Sequence, residues 1–208
     1  MELHEALTQI SEIRLQMART EVFRGYRSVP VAFSGLLALA AAGFQPLWVP
    51  EPTKNILAYL MLWIGVAAVS LLATGLEMWV RSQRSDSTLS REITWLAVQQ
   101  FLPTLVAGVL VTYVLVSFAP DTVWVLPGLW QVLYSLGVFA SCRLLPRATF
   151  WVAVYYMATG IVCLTLARGE ATLTPWAMGV PFGIGQFFTA VILYWTLERN
   201  DVTNQDET

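Results

Sequence analysis

The 208-residue chain is 56 % hydrophobic and only 12 % charged, with a net charge of −2 and a mean hydropathy of +0.59, whereas soluble domains carry about 25 % charged residues. A water-soluble globule could not cover that much apolar surface, and the scattered basic residues make no stripe for nucleic acid. The lipid bilayer is the expected partner. Cys142 and Cys163 fall at opposite ends of successive apolar stretches, too far apart for a disulfide.

Residues 1–28 contain Glu2, Glu5, Glu12 and Glu21 and no continuous apolar core, so they do not read as an export signal, and the first span is expected to direct insertion. They read instead as a cytoplasmic amphipathic helix. At roughly 100° per residue Leu3, Leu7, Ile10, Ile13 and Met17 share one face, with Glu5, Glu12, Gln16 and Arg19 opposite and Arg14 intruding on the apolar stripe. The helix can lie on the membrane, tuck against the protein's own cytoplasmic face or dock on a partner or a second copy. Three glutamates against two arginines in residues 2–19 give little attraction to anionic lipid, which favours protein contact over the bare membrane surface.

Six membrane spans follow, an all-α fold of three antiparallel hairpins. Span one, residues 30–48, carries Ser34, Ala38 and Ala42 at four-residue spacing, a face narrow enough for another helix to approach closely. Span two, residues 55–80, holds Glu77, the only acid inside a predicted span. An intramembrane carboxylate is a functional candidate because burying its charge costs a few kcal/mol or more; one helical turn from Arg81 at the span's end, it can equally form an i,i+4 pair. The Ser- and Arg-rich stretch 81–92 reads as the longest internal loop.

Span three, residues 93–118, places Gln99 and Gln100 in its first turns ahead of Pro103, a kink position, so one amide should face the bundle. Span four, residues 123–145, contains Gln131. Span five, residues 148–167, carries Tyr155 and Tyr156. Span six, residues 175–195, is uncharged over about 31 Å of helix. Within it Pro181, Gly183 and Gly185 offer a place to bend just before Gln186, and Gly179 with Gly183 repeats the small-residue spacing. Gly128 to Gln131 and Gly183 to Gln186 form a faint echo that would set two amides at one depth, as in small-substrate transporters. The acidic tail 198–208 has nothing to fold around.

Charge orients this scheme. With the N-terminus inside, Arg14, Arg19, Arg24, Arg27, Arg81, Arg84, Arg91, Arg143, Arg147 and Arg199 lie in the cytoplasm and only Lys54 and Arg168 outside, the asymmetry of an N-in, C-in protein. Trp48, Trp79, Trp95, Trp124, Trp151, Trp176 and Trp195 fall near span ends, as an aromatic belt requires. The location read from these features is a multi-pass membrane protein, of the cytoplasmic membrane if bacterial.

Chemistry is limited by what the sequence lacks. His4 is the sole histidine and lies in the N-terminal segment, so no haem or metal centre, no Ser-His-Asp set and no phosphate loop is expected, and neither is an enzyme or a cofactor. The candidate intramembrane polar sites are Glu77, Gln99, Gln100, Gln131 and Gln186. The expected role is a membrane-embedded interaction or regulatory subunit that presents the Leu3, Leu7, Ile10, Ile13 and Met17 face to a cytoplasmic partner or a second copy. The alternative is a small transporter of an uncharged or lipid-like solute through a path near Gln131 and Gln186.

Overall fold

Each apolar stretch forms one helix in the computed structural model, which describes residues 28–84, 88–142, 144–166 and 169–198. The N-terminal amphipathic stretch and the acidic tail from residue 199 lie outside the described residues. In order the helices are α1 (Ser28–Trp48), α2 (Ile56–Arg84), α3 (Thr88–Phe118), α4 (Leu126–Ser141), α5 (Thr149–Leu166) and α6 (Pro175–Leu193). Six helical segments are long and apolar enough to cross a membrane, and no strand occurs among the described residues, which is consistent with a multi-pass membrane protein.

Local chemistry sets the helix ends. Asn55 caps α2, its Oδ1 accepting a hydrogen bond from the amide of Ala58 at 3.2 Å. The 16 residues of α4 reach only about 24 Å, and a tighter 3-10 helix, Pro120–Val125, continues it to a 22-residue crossing. A second 3-10 helix, Gly169–Leu173, leads into α6 and packs on the first. α4 ends four residues earlier than the expected span, turning at Cys142 before Pro146.

The stretch 81–92 is not a long loop. α2 continues to Arg84 and α3 begins at Thr88, because leaving the hydrocarbon does not oblige a helix to end when its polar residues still keep the backbone bonded. Nor is α6 interrupted: Pro175–Leu193 is one helix through Pro181, Gly183 and Gly185.

Those glycines serve packing instead. α1 and α6, the first and last helices, make the most extensive contact in the bundle. Ser34, Ala38 and Ala42 are buried there. A Cβ on Gly179 would overlap that of Ala42, one on Gly183 would come within 2.6 Å of Leu39, and one on Gly35 within 3.1 Å of the carbonyl of Gly183. The two small-residue faces therefore meet each other, and their backbones approach as closely as glycine permits. Gly128 of α4 and Gly160 of α5 make the equivalent contact, each Cβ position lying 2.9 Å from the other's carbonyl oxygen. Gly160 had no partner in sequence spacing and carried no expectation.

The remaining neighbours are α3 against α4, α1 against α2 and, more lightly, α5 against α6, while α2 and α3 scarcely touch. Every buried residue among the described side chains of α2 lies between Ala58 and Trp63, and among the described side chains of α3 only Thr112 is buried. These two helices hold the rest of their surfaces outward, with Val109, Leu110, Leu72 and Leu76 among the exposed apolar side chains. Six of the seven tryptophans expected at span ends are 55–63 % exposed, the placement an interfacial ring adopts.

The α1–α6 contact makes a direct test. Gly179→Ala should destabilise the detergent-solubilised protein by about 1–3 kcal/mol, the usual cost of overpacking, and Ala42→Gly in the same chain should recover at least half of the lost thermal stability. An additive pair of losses would show that the two positions do not touch.

Candidate functional site

Three buried amides, Gln45, Gln131 and Gln186, stand among buried hydroxyls, and each amide meets a group on another helix or on the turn ahead of α6. Gln45 of α1, 1 % exposed, accepts a hydrogen bond from the indole Nε1 of Trp63 on α2 at 2.9 Å and donates from Nε2 to the carbonyl of Leu173 at 2.9 Å. One side chain thus joins α1, α2 and the turn ahead of α6. The Tyr59 ring lies tilted beside that of Trp63, with ring centres 6.5 Å apart. The hydroxyls of Tyr59 and Thr172 are buried in this region without a protein partner among the described residues.

A similar tie joins α3 to α4: Trp130 donates its indole N–H to Thr112 at 2.9 Å, and Thr112 donates to the carbonyl of Gly108 at 2.7 Å. Trp63 and Trp130 both lie 18 residues beyond their acceptors, the separation of two positions level with each other across a short connection. They are also the two tryptophans that do not fall at span ends. Gln45, Trp63 and Trp130 were not singled out in the sequence; a glutamine and two off-interface indoles in apolar spans were the available signal.

Gln131, fully buried on α4, donates through Nε2 to the carbonyl of Pro127 on its own helix at 3.1 Å and to that of Ala177 on α6 at 3.0 Å. The second bond explains how α6 tolerates its proline. Pro181 has no N–H, so the carbonyl four residues earlier, that of Ala177, loses its helical donor. Gln131 supplies the replacement from the neighbouring helix, as apolar surroundings demand. The Oε1 of Gln131 is buried without a partner among the described residues.

Gln186 donates from Nε2 to the hydroxyl of Tyr134 at 2.9 Å. Tyr134 stands in an aromatic cluster, 4.7 Å from Tyr156, 5.5 Å from Phe101 and 5.7 Å from Phe182 between ring centres. Gly185 leaves the space that the Tyr156 ring fills, and the Tyr156 hydroxyl reaches the Phe182 carbonyl at 3.4 Å. Gln131 is level with Ala177, about two and a half turns from Gln186 along α6. The expected pair of amides at one depth is therefore corrected to two separate ties.

The other candidates lie apart from these. Gln99 is exposed, and Gln100 beside it is half-buried, with Oε1 enclosed and unpartnered among the described residues. Glu77 is half-buried in a groove of about 390 Å³ between α1 and α2; the side chain of Arg81, its expected partner, is outside the described residues. A second groove of about 420 Å³ opens sideways between α5 and α6 over Cys163, Ala177 and Pro181. Neither groove is lined by Gln131 or Gln186. Among the described residues no group of three His, Cys, Asp or Glu could hold a metal ion. Neutral amides and hydroxyls of this kind can position helices and recognise polar groups.

The proline-amide tie predicts a specific coupling. Gln131→Leu should cost about 1 kcal/mol in the native chain, within the range of interhelical hydrogen bonds in membranes, and much less in a Pro181→Ala background, where the new backbone N–H of residue 181 reaches Ala177. A double-mutant cycle read by reversible unfolding in detergent measures it, and equal costs in both backgrounds would contradict the assignment.

Comparison of the chain with family models, with curated proteins and with solved structures finds no match, so the reading of these ties rests on their own geometry.

Proposed function

We propose that this protein is a membrane-embedded interaction or regulatory subunit, with both termini in the cytoplasm and its six spans running as three antiparallel hairpins. It presents the apolar face of Leu3, Leu7, Ile10, Ile13 and Met17 to a cytoplasmic protein partner or a second copy. The observation that carries this reading is the use made of the interior polar groups. The amides of Gln45, Gln131 and Gln186 each bind a group on another helix or on the turn ahead of α6, which builds a body that holds other parts in place. The orientation is supported by ten arginines on one side against Lys54 and Arg168 on the other, and the acidic balance of residues 2–19 favours protein over anionic lipid as the surface they meet.

A transporter of an uncharged or lipid-like solute is the competing reading. Its support is the spare acceptor of Gln131, together with the buried hydroxyls of Tyr59 and Thr172. The two differ in where a deletion acts. Removing residues 2–24 should abolish co-purification of the partner or the homo-oligomer from native membranes while the six-helix body still inserts, with a reporter after Thr208 remaining cytoplasmic. Replacing Leu7 or Ile10 with Glu in the full chain should weaken the same association about tenfold or more, the consequence of forfeiting one buried aliphatic side chain. Retention of every partner and of the oligomeric state after the deletion would overturn the proposal.

A further inference from the structure

The groove that holds Glu77 lies at the end of the bundle opposite the Gln45 tie. Its walls are Val29, Pro30 and Phe33, from the start of α1, and Ala73, Leu76, Glu77 and Val80, from late α2. All but Glu77 are apolar, and Val29 and Leu76 are 69 % and 61 % exposed. From Val29 to Phe33 is about 6 Å of helix, and from Ala73 to Val80 about 10 Å. The groove therefore runs along the first turn of α1 and the last two turns of the apolar part of α2, where that helix leaves its long apolar run.

The position of the chain outside the described residues gives the groove an occupant. Residues 1–27 join α1 at Ser28, adjacent to the first lining residue. A helix over residues 3–17 would be about 22 Å long, and the ten residues from 18 to 27 can extend to roughly 33 Å, more than enough to turn back across α1. Charge is complementary as well. The apolar stripe carries one cation, Arg14, and the groove carries one anion, Glu77.

We propose that the groove between α1 and α2 is the docking site of this chain's own N-terminal segment, with the Ile10, Ile13 and Met17 side of the stripe against Phe33, Leu76 and Val80 and with Arg14 opposite Glu77. The inference rests on the same amphipathic helix as the proposed function but needs no partner; where one exists, it competes with the groove for that face. The groove is then the element that holds the segment until the partner displaces it.

The test uses the full-length chain in native membranes with Cys142 and Cys163 replaced by Ala. Ile13→Cys is paired with Leu76→Cys in the groove, or with Leu102→Cys on the outward face of α3 as a control. Mild oxidation should give an intramolecular disulfide about fivefold or more in excess for the Leu76 pair. Arg14→Glu should lower that yield about threefold, as for a partly exposed ion pair, and Glu77→Arg in the same chain should restore it. Equal yields from the two pairs would mean that the helix lies free on the membrane and would overturn the proposal. A product only at twice the chain mass would assign the groove to a second copy and overturn it too, as would no product while a maleimide labels both cysteines. Loss of a partner after Leu7→Glu without loss of the groove disulfide would separate the two readings.

Discussion

Helices surrounded by apolar solvent gain nothing from the hydrophobic effect when they meet, because lipid tails cover a leucine as well as another helix does. Association must come from contacts that lipid cannot reproduce. In this chain those contacts are backbone-to-backbone approaches at glycine and hydrogen bonds across helices, and the first outweighs the second in extent. The face of Ser34, Ala38 and Ala42 on α1 against Gly179 and Gly183 on α6 brings the first and last described helices together. Gly128 and Gly160 repeat the solution between α4 and α5. Both contacts leave no room for a side chain, so they specify a register as well as adhesion.

Hydrogen bonds act on that frame by fixing depth. Trp63 to Gln45 and Trp130 to Thr112 tie α2 to α1 and α4 to α3, and Gln131 repairs the carbonyl that Pro181 leaves free on α6. A proline in the span and a glutamine on its neighbour are thus one device. The buried hydroxyls of Ser34, Thr112, Ser141 and Thr189 instead bond the carbonyl four residues earlier on their own helices.

Span positions and the small-residue faces could be read from the sequence because hydropathy over about 20 residues and four-residue spacing are local properties. Partners were not readable. That Ala38 and Ala42 meet Gly179, or that Gln131 meets Ala177, depends on which helices become neighbours, and residues more than 40 positions apart carry no mutual spacing signal. Pro181, Gly183 and Gly185 suggested a bend for the same reason. Their intrinsic helix-weakening is real, but the hydrogen bond from Gln131 and the side chains of Leu39 and Tyr156 packed against the glycines accompany a helix that runs on without a break. The stretch 81–92 shows the opposite limit: polarity marks where a span leaves the hydrocarbon, not where its helix stops.

The outward surfaces of α2 and α3 carry the physical claim on which all of this depends. Leu72, Leu76, Leu102, Val106, Val109 and Leu110 present large exposed apolar area, far more than an isolated soluble protein tolerates, and only a hydrocarbon environment makes the bundle's internal economy of glycine contacts and ties sufficient. The most direct measurement is the state of the purified chain on gel filtration in plain buffer and in detergent. The account predicts aggregation or loss without detergent and a single monodisperse species within a micelle. A monodisperse, folded protein in buffer alone would contradict it.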